Sequence, residues 1–224
     1  MNENKTNYED DTLNAYKSVE RASEYKRFHT KNFSWGRLMT ILEQRKINNI
    51  LKSYEWSQDD NLLDIPCGTG ILGSLLKNYP FQVTASDISS EMMALAAAEY
   101  PEHCNVKLKQ ADITNTKFPA GSFSCLVSLS FLHRVPIEIK IATIKEIYAL
   151  TNKIAIVTCS VKQPFFKLKQ LILSYIHPNY LPAPCPMELN EIVSEFKKQG
   201  FNVKSSTMVL PVISAHTIFE LEKI

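Results

Sequence analysis

Two aspartates flank a glycine-rich turn in the segment NLLDIPCGTGILGSLLKNYPFQVTASD, residues 61–87. The apolar run that ends at Asp64 predicts a short buried strand, residues 66–70 predict a tight turn, and the apolar spacing of 71–76 predicts a helix. A second predicted strand ends on Asp87. Such a unit places a helix N-terminus beside a carboxylate at the tip of the next strand, where a nucleoside can contact both. The spacing therefore predicts a cofactor that contains a nucleoside.

The glycines of this segment are open to other interpretations. Gly68, Gly70 and Gly73 also fit the GxGxxG spacing of dinucleotide-binding proteins, which is a weak signal when it stands alone. Asp64 disfavours a dinucleotide, because a carboxylate here repels a pyrophosphate but suits the ammonium group of an amino acid. A further alternative is a glycine turn that caps a helix and holds no ligand. The carboxylates at both ends favour a ligand.

The sequence DIPCGTG followed by Asp87 resembles motif I and the next acidic strand end of the class I S-adenosylmethionine-dependent methyltransferases. Pro66 stands where the usual form, (D/E)xGxGxG, has its first glycine. The segment DISSEMM resembles the DxSxxML pattern of the family, and Asp112 after Ala111 resembles motif II. The resemblance implies S-adenosylmethionine as cofactor and S-adenosylhomocysteine as product. The residues that it implies for cofactor binding are Asp64, Pro66, Cys67, Gly68, Thr69, Gly70, Asp87, Ile88, Met92, Ala111, Asp112, Ile113, Ser128, Leu129, Tyr25 and Arg37.

The resemblance also implies individual roles for some of these residues. Asp112 would accept a hydrogen bond from the adenine amino group, although an aspartate that stabilises a turn is the alternative. Ile88 and Met92 would press on the adenine ring. Residues 128–130 would line the floor beneath the sulfonium, and the Arg37 guanidinium would meet the cofactor carboxylate.

His133 lies a few residues beyond the predicted fourth strand, in the segment SLSFLHRVP. A histidine of ordinary pKa takes a proton from a hydroxyl or ammonium nucleophile near neutral pH, so His133 is the candidate general base. The alternative is a histidine that only braces the loop. No catalytic triad is required, because transfer of an activated methyl group depends mainly on alignment and on exclusion of water.

The remaining patterns predict an α/β fold, a Rossmann-like three-layer sandwich. Helices are predicted over 137–151 and 187–200, and a nearly continuous apolar run over 153–161 predicts a central parallel strand. The last two segments, 201–210 and 213–224, predict an antiparallel hairpin. The resemblance implies a seven-stranded sheet of order 3-2-1-4-5-7-6 with an antiparallel strand 7. A nicotinamide-binding domain would continue with parallel units instead.

The expected organisation is a disordered tail at 1–11, an N-terminal helical lid at 12–56 and a methyltransferase domain at 57–224. A small helical cap is expected as an insertion after the fifth strand, at about residues 161–186, by the resemblance to the family. Ordinary helix packing explains the aromatic residues of lid and cap equally well. The candidates for substrate contact in these segments are Tyr16, Phe28, Phe165, Phe166, Tyr175, His177 and Tyr180.

The composition is typical of one globular domain. The 224 residues are 45% hydrophobic and carry a net charge of +2, which suits a single α/β core. Charges of both signs are interspersed, so nucleic acid is not expected as a partner. The five cysteines form no CxxC pair and are expected to be reduced and buried. Because the sequence shows no signal region and no apolar stretch of membrane-spanning length, a cytoplasmic protein without membrane contact is expected.

The leading hypothesis is methyl transfer to an O or N atom of a small-molecule acceptor. The segment after the fourth strand lacks the (N/D)PP(Y/F) pattern of adenine-methylating enzymes and has no acidic residues for a metal, so no metal is predicted. One alternative is an NAD(P)-dependent Rossmann oxidoreductase, and another is a module that binds S-adenosylmethionine without catalysis. Within the family, a peptide or protein acceptor is the remaining alternative.

Overall fold

Seven strands form one sheet in the structure, a computed structural model that describes residues 19–31, 34–162, 185–211 and 214–224. In chain order they are β1 (Asn61–Asp64), β2 (Gln82–Ala85), β3 (Lys107–Leu108), β4 (Phe123–Ser128), β5 (Thr151–Ser160), β6 (Phe201–Met208) and β7 (His216–Lys223). Their order in the sheet is β3-β2-β1-β4-β5-β7-β6. Among the described strands, β7 runs antiparallel to β5 and β6 on either side of it, and every other pairing is parallel. The predicted sheet order is confirmed.

Helices cover both faces of this sheet. They are α1 (Val19–Thr30), α2 (Trp35–Lys52), α3 (Ser90–Ala96), α4 (Ile137–Leu150) and α5 (Leu189–Lys198). Successive residues of a strand point to opposite faces, so Leu63 packs in the core layer of α4 and α5 while Leu62 packs in the layer of α2 and α3. The central strands therefore need apolar residues at nearly every position, as their sequences have.

The antiparallel hairpin at the end of the chain places one residue next to the predicted site. β7 inserts between β5 and β6, and its first residue, His216, pairs with Ser160 at the last position of β5. Because β7 runs opposite to β5, its beginning lies at the edge of the sheet where the parallel strands end. This edge also carries Asp64, at the end of β1.

The chain after the glycine turn differs from the predicted α-helix. Residues Ile71–Ser74 and Leu76–Asn78 form two short 3-10 turns, and the Gly73 amide bonds the Gly70 carbonyl at 2.9 Å, three residues back. Gly70 has a φ of +79°, and Gly73 lies against the backbone of Glu99. This close packing of two backbones leaves no room for a Cβ at residue 73, and periodicity alone does not reveal the 3-10 turns.

One strand of the sheet is shorter than predicted. β3 has two residues, both exposed at the edge of the sheet, whereas the pattern predicts a strand over 106–110. Short edge strands are common because an exposed edge invites pairing with other chains. The first predicted helix begins at Thr12 by its capping pattern, and its described part is α1.

Candidate active site

The glycine turn between β1 and α3 is held by backbone hydrogen bonds. The Cys67 amide donates to the Ser86 carbonyl at 2.8 Å, and the Gly70 amide donates to the Cys67 carbonyl at 3.0 Å. Gly68 has a φ of +52°, and no atom lies within 4 Å of the position that a Cβ would take there. The backbone at Gly68 is therefore open to the close approach of a ligand, which is the usual reason for glycine in such a turn.

Asp87 lies at the tip of β2 and ties this turn to α3. Its Oδ2 accepts the Gly68 amide and its Oδ1 accepts the Ser89 amide, each at 2.9 Å. The Ser89 hydroxyl in turn accepts the Met92 amide, which caps α3. The side chain is 7% exposed, and burial raises the pKa of its carboxyl. The predicted neighbourhood of Asp87 and the glycine turn is thus present.

Asp64 lies at the end of β1 and is 2% exposed. The Tyr100 hydroxyl donates to its Oδ2 at 2.5 Å. Burial raises the pKa of Asp64 from 3.8 to about 7; the Tyr100 hydrogen bond opposes this rise, and the charge of Asp87 adds to it. A bound cation at this carboxylate would lower the pKa again, because it favours the charged form.

Because folding raises the pKa of Asp64, the free energy of unfolding should decrease as the pH rises. The folded chain keeps a proton on this carboxyl at pH values between 3.8 and about 7, whereas the unfolded chain does not. The stabilisation is therefore complete below pH 3.8, is lost progressively as the pH rises, and is gone above about 7. Asp64→Asn, which imitates the protonated group, should melt close to the wild type near pH 4 but about 5 °C or more above it near pH 8.

Differential scanning calorimetry of both proteins across this pH range measures the effect. The lowered pKa values of His29 and His133 act with the opposite sign, since their contribution is lost as the pH falls below their unfolded value. They are common to both proteins, so the difference in melting temperature isolates Asp64. A difference that does not change with pH would show that Asp64 is ionised in the folded state.

A cavity of about 430 Å³, including its open mouth, lies beside the glycine turn. The residues that line it come from α1, α2, the glycine turn and the end of β4. They are Tyr25, His29, Thr40, Glu43, Asp64, Pro66, Cys67, Gly68, Ile71, Leu72, Leu129 and Ser130.

Leu129 and Ser130, which follow β4, line this cavity, whereas Ser128 at the end of β4 does not. Ser130 has a φ of +57°, an uncommon conformation for a residue with a side chain. Its amide donates to the Thr158 hydroxyl at 2.8 Å, and its carbonyl accepts the Arg134 Nε at 2.9 Å. The Ser128 hydroxyl is buried and has no hydrogen-bond partner among the described residues.

The segment proposed for adenine lies on the other side of Asp87. The Ala111 amide donates to the Asp87 carbonyl at 3.1 Å. The Asp112 Oδ1 accepts both the amide and the hydroxyl of Thr114, at 2.8 and 2.9 Å, so Asp112 stabilises a turn whether or not it also binds a ligand. Ile88 and Asp112 are half-buried, and Met92 and Ile113 are buried.

His133 is buried and does not line the cavity. Its Nδ1 has no hydrogen-bond partner among the described residues, and its ring lies edge to face with that of His216, with 5.5 Å between the centroids. Burial, helped by the neighbouring His216, lowers the pKa of His133 well below its usual value. At neutral pH His133 is therefore an uncharged imidazole. It contacts His216, and His216 in turn contacts two residues of the cavity wall, Glu43 and Ser130.

The predicted lid residues take different positions. Tyr25 lines the cavity, whereas Phe28 is 54% exposed. Arg37 is exposed, and its Nη1 donates to the Thr30 carbonyl at the end of α1. The substrate candidates Tyr16, Phe165, Phe166, Tyr175, His177 and Tyr180 lie outside the described residues.

Comparisons with known proteins concern the family and the fold. Residues 62–153 match the model of a protein family described as "Methyltransferase domain". Among solved structures, magnesium protoporphyrin IX methyltransferase from Synechocystis PCC 6803 with bound SAH is 16% identical, and the match covers 95% of this chain and 98% of that chain with a TM-score of 0.73. The chain has the class I methyltransferase fold.

Other structures share the methyltransferase fold at low identity. A TehB-like SAM-dependent methyltransferase from Corynebacterium glutamicum is 11% identical, and the match covers 92% of this chain and 98% of that chain, with a TM-score of 0.62. A possible histamine N-methyltransferase from Thermotoga maritima is 15% identical, with the same coverage and a TM-score of 0.61. The search of curated proteins gave no significant match. Likeness at these identities shows the fold.

The methyltransferase fold brings to the cavity residues that sequence interpretation did not select. Those of α1 and α2 are His29, Thr40 and Glu43, and those beyond the glycine turn are Ile71 and Leu72. One signal for His29 was available, because it follows Tyr25 by one helical turn and so shares its face. Glu43 had no such signal, because its partner His216 is distant in the sequence.

Two further observations concern the described part of the chain. No cluster of His, Cys, Asp or Glu side chains suited to a metal ion occurs there. Its helices are also too short or too polar to cross a membrane. Cys67, Cys104, Cys125 and Cys159 are buried and unpaired, as expected, and Cys185 is half-buried.

Proposed function

We propose that this protein is an S-adenosylmethionine-dependent methyltransferase that methylates an O or N atom of a small-molecule acceptor. The observation that carries the proposal is the glycine turn whose Gly68 amide bonds Asp87, with Asp64 at the other end of the same turn. These two carboxylates are at the ends of neighbouring strands, at the edge where ligands bind in open α/β sheets. The matched family and the fold support the same chemistry.

The residues around the turn fit this cofactor. Gly68 leaves open the space that a Cβ would fill, and each Asp87 oxygen keeps a lone pair beyond the backbone bond it accepts. The hydroxyls of Thr69 and Ser128 are buried without a hydrogen-bond partner among the described residues, and buried polar atoms of this kind ordinarily have one. A polar ligand beside the turn would supply such partners.

In this proposal Asp87 accepts the ribose hydroxyls and Asp64 faces the ammonium group of the methionine part. Ile88 and Met92 pack on the adenine, with Asp112 at its amino group, and Leu129 continues the floor. The further contacts proposed around the turn and the floor are from Pro66, Cys67, Gly68, Thr69, Gly70, Ala111, Ile113, Ser128 and Tyr25. The Arg37 contact is retained only as a prediction, since this side chain bonds the Thr30 carbonyl outside the cavity wall.

When bound, the cofactor supplies a methyl group already activated by a positive sulfur. The protein has to align an acceptor with that methyl group and exclude water. Tyr25, from α1, closes one side of the cavity, and the apolar side chains of Ile71, Leu72 and Leu129 leave few places for water. A base is needed only for an acceptor that arrives protonated, and His133 remains the sequence-based candidate for it.

Calorimetric titration of the protein with S-adenosylhomocysteine tests this proposal, with binding in the micromolar range expected. NAD⁺ is the comparison ligand, and it should not bind, because Asp64 disfavours a pyrophosphate. Binding of NAD⁺ without binding of S-adenosylhomocysteine would overturn the proposal in favour of an oxidoreductase. Binding without transfer of labelled methyl to any member of a broad acceptor panel would instead indicate a non-catalytic module.

A further inference from the structure

A cluster of hydrogen-bond acceptors forms the side of the cavity away from Asp87. It consists of His29 from α1, Glu43 from α2 and Ser130 after β4, all in the cavity wall. Behind them lies His216, whose Nε2 is 2.8 Å from the Glu43 Oε1 and 3.5 Å from the Ser130 Oγ. Side chains from the N-terminal helices α1 and α2 therefore meet a side chain from the C-terminal strand β7.

The sheet order places this cluster beyond the cofactor residues. Asp87 follows β2, Asp64 ends β1, Ser130 follows β4, and His216 begins β7, two strands farther along the same edge. A cofactor whose nucleoside lies at Asp87 and whose amino acid part lies at Asp64 extends toward β4. The cluster of His29, Glu43 and Ser130 is therefore on the side from which an acceptor would approach.

The hydrogen bonds of the cluster leave acceptor atoms directed at a ligand. The Thr40 hydroxyl donates to the Gly36 carbonyl at 2.9 Å, so its oxygen accepts from His29 Nδ1, also at 2.9 Å. His29 thus carries its proton on Nδ1 and has a lone pair on Nε2. Its pKa is lowered to about 4, mainly by burial and also by Arg134 and His216, while Glu43 opposes the shift. It is uncharged at neutral pH.

The Glu43 carboxylate is positioned by a hydrogen bond from His216. An ionised carboxylate can only accept, so the His216 Nε2 donates to it. The Glu43 side chain is 13% exposed, and its charge is poorly screened at that depth. The cavity wall in the described residues contains two carboxylates, Asp64 and Glu43, and neither lysine nor arginine.

The conformation of Ser130 is a second, independent sign of a built site. Its φ of +57° costs about 1 kcal/mol or more for a residue with a Cβ, and it is maintained by bonds to Thr158 and Arg134 on both sides of the peptide. Backbone strain of this kind concentrates at functional sites. Here it keeps Ser130 in the cavity wall, within 3.5 Å of His216.

We infer that Glu43, His29 and Ser130 form an acceptor subsite for a protonated amine, with His216 as the residue that positions Glu43. An ammonium group offers three N–H donors and a positive charge. These match the Glu43 carboxylate, the lone pair on His29 Nε2 and the Ser130 hydroxyl in a negative wall. The cofactor has one ammonium group, for which Asp64 is the proposed partner. Glu43 accepts from His216 through Oε1 and keeps further lone pairs, which we assign to a second cation. The inference rests on the proposed function and specifies the charge that the acceptor molecule carries when it binds, whichever of its atoms receives the methyl group.

Three probes with the same aromatic body test the charge preference: phenethylamine, phenethyl alcohol and phenylacetate. Their rings suit the wall of Tyr25, Ile71 and Leu129. Titrations followed by ligand-observed NMR, with and without saturating S-adenosylhomocysteine, should show phenethylamine bound about tenfold or more tightly than the alcohol. Phenylacetate should bind no better than the alcohol. Equal binding of the amine and phenylacetate, or binding of none, would overturn the inference.

Glu43→Gln is the decisive variant, because it keeps the size and one acceptor atom but removes the charge. It should reduce the preference for phenethylamine by about tenfold while S-adenosylhomocysteine affinity stays within about threefold of wild type. Glu55→Gln makes the same change at an exposed residue outside the cavity and should alter neither. If Glu43→Gln weakens S-adenosylhomocysteine and leaves the amine preference intact, Glu43 belongs to the cofactor and the inference is wrong.

The two proposals fail in different ways. A wild-type protein that binds no S-adenosylhomocysteine contradicts the proposed function, whatever the amines do. A wild-type protein that binds S-adenosylhomocysteine but shows no preference for phenethylamine keeps the proposed function and contradicts only the amine subsite.

Discussion

Replacement of Asp87 by alanine is expected to weaken binding of S-adenosylhomocysteine by about a hundredfold or more. Under the proposed function the variant loses two charge-assisted hydrogen bonds to the ribose. It also loses the carboxylate that accepts the Gly68 and Ser89 amides, so the glycine turn is no longer tied to the start of α3. Calorimetric titration at fixed pH and salt measures the loss.

Two further variants separate these contributions. Asp87→Asn keeps the volume and one acceptor oxygen, but its NH₂ group faces an amide that also donates, so a loss of about tenfold is expected. Asp59→Ala removes an exposed carboxylate outside the cavity wall and should leave the affinity unchanged. An Asp87→Ala protein that is folded and binds within about threefold of wild type would exclude Asp87 from the cofactor site.

Gly73→Ala is expected to give the largest loss of stability from adding one methyl group. A Cβ at this position overlaps the carbonyl oxygen of Glu99, and it lies 2.7 Å from the Glu99 carbonyl carbon and 3.0 Å from the Tyr100 nitrogen. These are backbone atoms, which cannot turn aside as the end of a side chain can. We expect unfolding to become easier by about 2 to 3 kcal/mol, or roughly 5 to 10 °C in melting temperature.

The displacement should also reach the site, because Tyr100 carries the hydroxyl that bonds Asp64. Gly121→Ala is the matched control: Gly121 has a φ of +64°, and a Cβ there meets no atom within 4 Å. It should cost about 1 kcal/mol, from the left-handed conformation alone. Thermal melts of the two variants decide the matter, and equal melting temperatures would contradict the close packing at Gly73.

Local sequence was sufficient to predict the strands that end at Asp64 and Asp87 and the antiparallel hairpin at the end of the chain. The strand that ends at Asp64 and the strand that ends at Asp87 follow from short apolar runs bounded by turn residues. The antiparallel tail follows from two strand patterns with Pro211 between them. Asp64, Pro66, Cys67, Gly68 and Leu129, which were predicted for the cofactor, all line the cavity, because their position depends only on where neighbouring strands end.

Long-range packing decided what the local pattern could not. Residues 71–76 have helical spacing, yet they form 3-10 turns, and Gly73 lies against the backbone of Glu99. Asp112 fits an adenine contact by its position, but in the structure its Oδ1 accepts two bonds from Thr114. His133 fits a base by its chemistry, but the protein buries it behind His216.

The sequence by itself determined the fold class and the half of the site that lies next to the glycine turn. The reason is that these residues are close together in the chain, and the order of the strands brings their ends to one edge. Only the tertiary structure decided the other half. Glu43 and His216 are 173 residues apart, and they meet because an N-terminal helix crosses the end of the sheet at which the antiparallel β7 begins. No local pattern encodes that contact, since it arises from the packing of the whole domain.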